Sequence, residues 1–239
     1  MAAVLALAML GGLWAGGTVA RRFAAGEKPD KFTDATLALF GLILAFTFGM
    51  SLDKHSKRRA MVVADANAVG DFYICASLVK DPARSHLREL VREYAAQRLA
   101  LARTSPDEEE RRVKQAEVRA LHGRMQVEVG AALDAGTPVA VPLVNTFNAL
   151  TSNHTERVAA GRDRLPPPIL VLLALAAVGA AFLVGVARGQ SGTRIGAPAA
   201  LFILLVAAIV WVTLDLNQPA RGLITVDQEP MELVLAGMR

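Results

Sequence analysis

A single cysteine, Cys75, stands in the 239-residue sequence, so no disulfide closes within the chain and no cysteine-based metal cluster can form. Histidine is nearly as scarce: four scattered residues whose spacing makes no metal site. There is no phosphate-binding glycine loop, because Gly11-Gly12 and Gly16-Gly17 lie inside an apolar run with no partner lysine. No G-x-S-x-G, H-E-x-x-H or Cys/His dyad occurs. His122 and His154 fall on helical stretches as surface or interhelical residues, and the acidic run from Asp107 to Glu110 reads as a helix N-terminus. No enzymatic activity is expected.

Charge is the other scarcity. Only 20% of residues are charged against 53% hydrophobic, and the mean hydropathy is +0.36. Those values exclude a disordered chain and are too apolar for an ordinary soluble domain. Of the 26 Lys and Arg and 22 Asp and Glu, 33 fall between Asp53 and Arg164, leaving long uncharged runs on both sides. The net charge of +4 is explained by basic residues flanking membrane spans, and no nucleic-acid partner is expected.

A helix needs about 20 mostly apolar residues to cross the hydrocarbon core. Ala2 to Ala20, Ala35 to Leu52, Pro166 to Ala187 and Ile195 to Leu214 meet that requirement without a charge. Backbone groups in lipid must pair internally, which makes each run a helix. Trp14 and Trp211 stand near span ends, as interfacial rings do. The first run ends in Thr18-Val19-Ala20, a mild cleavage cue. It lacks a basic segment in front, and Arg21 and Arg22 follow it, so a retained helix is expected.

Residues 53–165 read as an inserted domain of amphipathic helices. Asp81-Pro82 reads as an N-cap followed by a first-turn proline. Beyond it Leu87, Leu90, Val91, Tyr94 and Leu101 share one helical face. Ser105-Pro106-Asp107-Glu108 forms a capping box ahead of Val118, Leu121, Met125, Val129 and Leu133, with Gly136 as the stop. Thr137-Pro138 opens a helix to Arg164, and Pro166-Pro167-Pro168 separates it from span three. The expected fold is an all-α membrane protein. Spans one and two occupy 1–52, the helical domain 53–165, spans three and four 166–214, and a C-terminal segment 215–239.

With four spans, both termini and the polar domain share one side. Lys54, Lys57, Arg58, Arg59, Arg157, Arg162, Arg164 and Arg221 flank that side; Arg21, Arg22, Lys28, Lys31, Arg188 and Arg194 flank the other. The larger basic set predicts a cytoplasmic domain in a multi-pass protein of the cell's inner (plasma) membrane.

Three constellations bear on function. Phe40, Leu44 and Phe48 form a bulky ridge on span two, and Gly41, Ala45 and Gly49 a small-residue row that admits close helix packing. One reading is a lipid-facing ridge beside an ordinary helix contact; the other is an oligomer whose ridge rings a central axis as a hydrophobic constriction. The charges after span two, Lys54, Lys57, Arg58 and Arg59, followed by Asp65 and Asp71, suit either membrane anchoring or a pore mouth. Concentrated positive charge there raises local anion density, while the two carboxylates leave a cation path open. Asp215, Asp227 and Glu229 are candidate oxygen ligands for Ca²⁺, although their spacing is not that of an EF-hand; no other cofactor is expected.

Phe40 to Phe48 is followed by Ala64-Asp65-Ala66-Asn67-Ala68-Val69-Gly70, then Glu156-Arg157-Val158-Ala159-Ala160 and Leu165-Pro166-Pro167, and last Leu214 to Ile224. This order of motifs resembles the bacterial and plant bestrophin-like family of unknown function across nearly the whole chain. In that family the early motif begins with Glu and the late one carries a second Asp; here Asp65 keeps the carboxylate and Asn217 loses it. The resemblance extends remotely to bestrophins, pentameric ion channels in which bulky apolar residues of the second span line the pore neck. It implies a homo-oligomer in the lipid bilayer, a pentamer or a tetramer, passing ions with Phe40, Leu44 and Phe48 at the constriction. The competing reading is a non-conducting scaffold or sensor whose helical domain binds a partner.

Overall fold

The computed structural model describes residues 2–23, 31–103, 108–191, 197–218 and 222–238. Among them the chain is helical, with no strand: α1 (Ala2–Phe23), α2 (Lys31–Ser77), α3 (Ala83–Arg103), α4 (Glu108–Asp134), α5 (Ala140–Arg162), α6 (Pro167–Ser191), α7 (Ala197–Leu216) and α8 (Glu229–Gly237). Four helical stretches, within Val4–Arg22, Thr33–Ser77, Ala140–Gln190 and Ala199–Leu216, are long and apolar enough to cross a membrane. The four uncharged runs of the sequence fall within or largely overlap them. The expected capping box at Ser105 and the flanking basic residues Lys28, Arg194 and Arg221 lie outside the described residues.

The chain divides into two compact units, one of residues 1–54 with 164–218, the other of 55–163 with 219–239. The first is the apolar one. Met9 and Leu13 of α1, Phe40 and Leu44 of α2, Leu173 and Ala177 of α6, and Ile203, Val206 and Val210 of α7 form its core. Here α1 and α6 lie almost backbone to backbone. A Cβ on Gly16 would fall 2.1 Å from the Phe182 carbonyl oxygen, and one on Gly185 would fall 2.2 Å from that of Leu13. Gly12 and Gly16 on one helix, and Gly185 and Gly189 on the other, repeat at four residues, the spacing that lets helices approach closely in lipid. Gly12 and Gly16, which suit no phosphate loop, therefore have a packing role. A polar contact ties α2 to α7: the Ser51 hydroxyl donates to the Thr213 carbonyl at 2.8 Å, fully buried.

The second unit buries the stripes expected from periodicity. Leu87, Leu90, Val91 and Tyr94 of α3 pack with Val118, Leu121, Met125 and Val129 of α4, and with Leu99, Leu101 and Leu133 at the margin. Phe72 of α2 and Phe147 of α5 meet at 5.5 Å between ring centroids. Gly136 ends α4 with φ +70°; its N–H donates to Leu133 O at 2.9 Å and that of Thr137 to Ala132 O at 3.2 Å. That is the Schellman pairing, whose left-handed position suits glycine. At the start of α3 the expected cap moves by one residue. Pro82 precedes the helix, and the exposed Asp81 carboxylate instead accepts from the Ser85 hydroxyl (2.7 Å) and the Arg84 guanidinium. Residues 219–239 join this unit: Met231 of α8 is wholly buried in its core, and Glu232 pairs with Arg103.

Candidate functional site

The early motif residue Asp65 lies on the face of α2 that also carries Val62, Ala66 and Val69, so helical spacing turns its carboxylate inward. It is fully buried. Its Oδ2 accepts from Arg98 Nη2 of α3 at 2.7 Å and from Arg157 Nη1 of α5 at 2.5 Å. Arg157 Nη2 also donates to Gln228 Oε1 at 2.7 Å, bringing the segment before α8 into the same knot. Burial pushes the Arg157 pKa down and the adjacent Arg98 guanidinium adds to that, while the Asp65 carboxylate works the other way. Burial likewise raises the Tyr94 phenol to about 12. Asp65, expected among the pore-mouth charges, is thus the anchor of an ion cluster inside the helical unit. Asp71 does stand exposed.

Arg58 also departs from expectation. It is 5% exposed; its Nε donates to Ala160 O at 3.2 Å and its Nη2 to Asp163 O at 2.7 Å. These carbonyls close the C-terminus of α5, where unsatisfied acceptors and the helix dipole favour a cation. Lys57 and Arg59 remain exposed and Lys54 half-buried.

In the apolar unit, Asn217 Oδ1 accepts the buried Leu165 N–H at 2.7 Å, joining the end of α7 to the proline run ahead of α6. The amide oxygen supplies the acceptor that a carboxylate would, so the substitution of Asn for Asp keeps the bond. Asn217→Leu should leave that N–H unsatisfied and cost about 1–3 kcal/mol, read as a lower unfolding midpoint by Trp14 and Trp211 fluorescence.

The expected axial ridge is placed differently. Phe40 and Leu44 are 5% and 8% exposed, packed within their own bundle, with Phe48 half-buried. A ridge must serve the subunit's interior or an open axis, and these two side chains serve the interior. The open face of α2 carries Leu39, Leu42, Phe46 and Met50. Gly41, Ala45 and Gly49 lie exposed along it, and a Cβ on Gly41 or Gly49 would meet nothing within 4 Å among the described residues.

Over residues 3–231 the sequence matches the family model for the Bestrophin-like domain. The chain belongs to that family. No curated protein and no solved structure matches it. For this bestrophin-like chain the two halves of the motif pattern acquire physical meaning: Asp65 of the early motif grips Arg157 of the Glu156–Ala160 motif, and Asn217 of the late motif grips Leu165 before the prolines. It is a membrane protein with an all-helical fold. Arg98, which completes the ion cluster, was not singled out by motif. A signal exists nonetheless, since Arg98 falls four residues after Tyr94 on the apolar face of α3, where a charge demands a partner.

Among the described residues no group of three or more His, Cys, Asp and Glu side chains is placed to hold a metal ion. The Asp227 carboxylate accepts the Glu229 N–H at 3.0 Å at the start of α8, while Asp215 ends α7 in the other unit. His122 and His154 are interhelical. His122 Nε2 lies 2.8 Å from Thr151 Oγ1 and stacks on Phe147, and His154 Nδ1 lies 3.3 Å from Tyr94 Oη.

Burial, helped by Arg98, lowers the His154 pKa from 6.5 to about 4. The unfolded chain therefore binds more protons between these values, and stability falls as pH drops through that window while being fully present above it. Because the ring is partly exposed, solvent screening reduces the effect to on the order of 1 kcal/mol. Circular dichroism melts at pH 7 and pH 5 should show this loss, and His154→Gln should flatten it.

Proposed function

We propose that this bestrophin-like chain assembles as a closed homo-oligomer, a pentamer or a tetramer, and conducts ions across the inner (plasma) membrane with anions preferred. The observation that carries the reading is the open face of α2. Leu39, Leu42 and Phe46 repeat at helical spacing beside Gly41, Ala45 and Gly49, so the helix offers both a bulky apolar stripe and a shallow one. Small residues favour helix contact in lipid, and large apolar ones on an axis resist wetting. Val63 and Ile74 on the later part of α2, and Leu78 just beyond its end, are also exposed and apolar, and a second subunit would cover them. The reading moves the constriction from Phe40 and Leu44 to Leu42 and Phe46.

Lys54, Lys57 and Arg59 would concentrate anions beyond the span, an effect screened over about 10 Å at 0.1 M salt. With Asp65 engaged by two arginines, carboxylate support for a cation path narrows to Asp71. Residues 53–165 and both termini would lie in the cytoplasm, from the basic flanks. No catalytic reaction is assigned.

Chloride flux from liposomes, with particle imaging of the same sample, tests this reading. Leu42→Ala with Phe46→Ala should raise flux in an assembled ring. Phe40→Ala with Leu44→Ala should instead destabilise the subunit by about 3 kcal/mol or more through lost core packing. A monomeric particle, or no flux under any gradient from an intact ring, would favour the scaffold reading.

A further inference from the structure

A cavity of about 210 Å³ opens in the helical unit among Arg58 of α2, Arg98 of α3, Arg111 of α4, and Arg157 and Arg162 of α5, with Gln228 on one wall. Among the described residues that line it there is no Asp or Glu. Five guanidinium side chains around one small space repel one another, and the carboxylate of Asp65 touches two of them from behind. Arg98 is 3% exposed, and its Nε has no hydrogen-bond partner among the described residues. A buried charged donor left unpaired is costly, and a bound acceptor removes the cost.

The occupant follows from the donors. Guanidinium forks match planar or tetrahedral oxyanions, with paired N–H groups meeting paired oxygens. Chloride offers one acceptor point and a carboxylate fills one fork. A phosphate group presents at least three oxygens and up to two charges, enough for several forks at once. The volume is below the roughly 300–1,000 Å³ of sites that enclose drug-sized ligands. It suits a phosphate or pyrophosphate group, with any larger remainder of the molecule outside.

We propose that this arginine cavity binds a small phosphate-bearing anion, with Arg98 and Arg157 at its buried wall and Arg111 and Arg162 nearer its rim. The bound group would tie α4 to α2, α3, α5 and the segment before α8, since each contributes to the wall. Its source is either a soluble phosphate compound or a lipid headgroup. The proposal does not depend on ion conduction.

The test uses the full chain in neutral detergent with inorganic pyrophosphate, at about 150 mM NaCl so that diffuse attraction is screened. Titration calorimetry should show saturable binding, and the unfolding midpoint should rise with ligand because only the folded state holds it. Arg111→Gln with Arg162→Gln should keep the ligand-free midpoint and weaken binding about tenfold or more. If that double variant misfolds, Arg162→Lys, which keeps charge and loses the fork, should weaken binding about threefold or more. In nanodiscs, a phosphoinositide in place of phosphatidylcholine should weaken pyrophosphate binding if the headgroup is the source, and leave it unchanged if the source is soluble. Absence of saturable pyrophosphate binding to the wild-type chain, or equal binding by the folded variants, overturns the assignment.

Discussion

Asp65→Ala should unfold the helical unit well below the temperature at which the wild-type chain melts. The substitution leaves two guanidinium groups, 3% and 14% exposed, without the carboxylate that holds them. Removing one member of a buried ion cluster costs about 3–5 kcal/mol, chiefly because the remaining charges stay desolvated. For a unit of this size that corresponds to a midpoint lower by roughly 10 °C or more. Cys75 gives the readout. It is the only cysteine, partly buried against the core of that unit, so a thiol-reactive dye reports its opening directly. Asp65→Leu combined with Arg98→Met and Arg157→Met should recover much of the loss, since apolar replacement of a whole buried cluster is often neutral or better. Failure of the single variant to shift the Cys75 transition would mean that the cluster carries no stability. A triple variant as unstable as the single one would assign the loss to packing.

Gly16→Leu and Gly185→Leu should each break the apolar unit. Even the first carbon of the new side chain would lie little more than 2 Å from a backbone carbonyl oxygen of the opposing helix, and a backbone atom cannot swing aside as a flexible side chain can. Overpacking of this kind costs typically about 1–3 kcal/mol and more when a helix must move as a body. The close contact between α1 and α6 is also where dispersion and weak Cα–H bonds hold helices together in lipid. Trp14 and Trp211, both in this unit, should show the earlier transition by fluorescence, whereas the Cys75 transition reports the other unit separately. Gly41→Leu provides the contrast. Among the described residues no other helix comes within 4 Å of a Cβ at that position, so the subunit's own unfolding should be unaffected. A change in particle mass caused by Gly41→Leu would place α2 at a subunit contact.

Much of the bestrophin-like architecture was legible in the order of residues. Four uncharged runs about as long as a bilayer requires are helices for want of any other way to pair a backbone in lipid, and the helical content and the membrane class follow from that. The faces of α3 and α4 were also legible, because Leu87, Leu90, Val91 and Tyr94, or Val118, Leu121, Met125 and Val129, bury one stripe whatever they pack against. Gly136 signalled its own helix stop, since the left-handed conformation at φ +70° is cheap only for glycine.

Pairings between distant segments were decided only by tertiary structure. Periodicity marks which face of a helix is apolar, but α2 carries apolar side chains nearly all round in its span. Whether Phe40 and Leu44 or Leu42 and Phe46 turn inward depends on where α1, α6 and α7 lie. The two small-residue rows look alike in sequence, Gly41-Ala45-Gly49 and Gly12-Gly16. One is open and the other is pressed against α6, because close approach needs a second helix with its own gap, supplied by Gly185 and Gly189. Nothing in the sequence joins Asp65, Arg98 and Arg157 until three helices bring both guanidinium groups within 2.7 Å of the one carboxylate. A local sequence records a charge, but only the fold determines whether water or another side chain answers it.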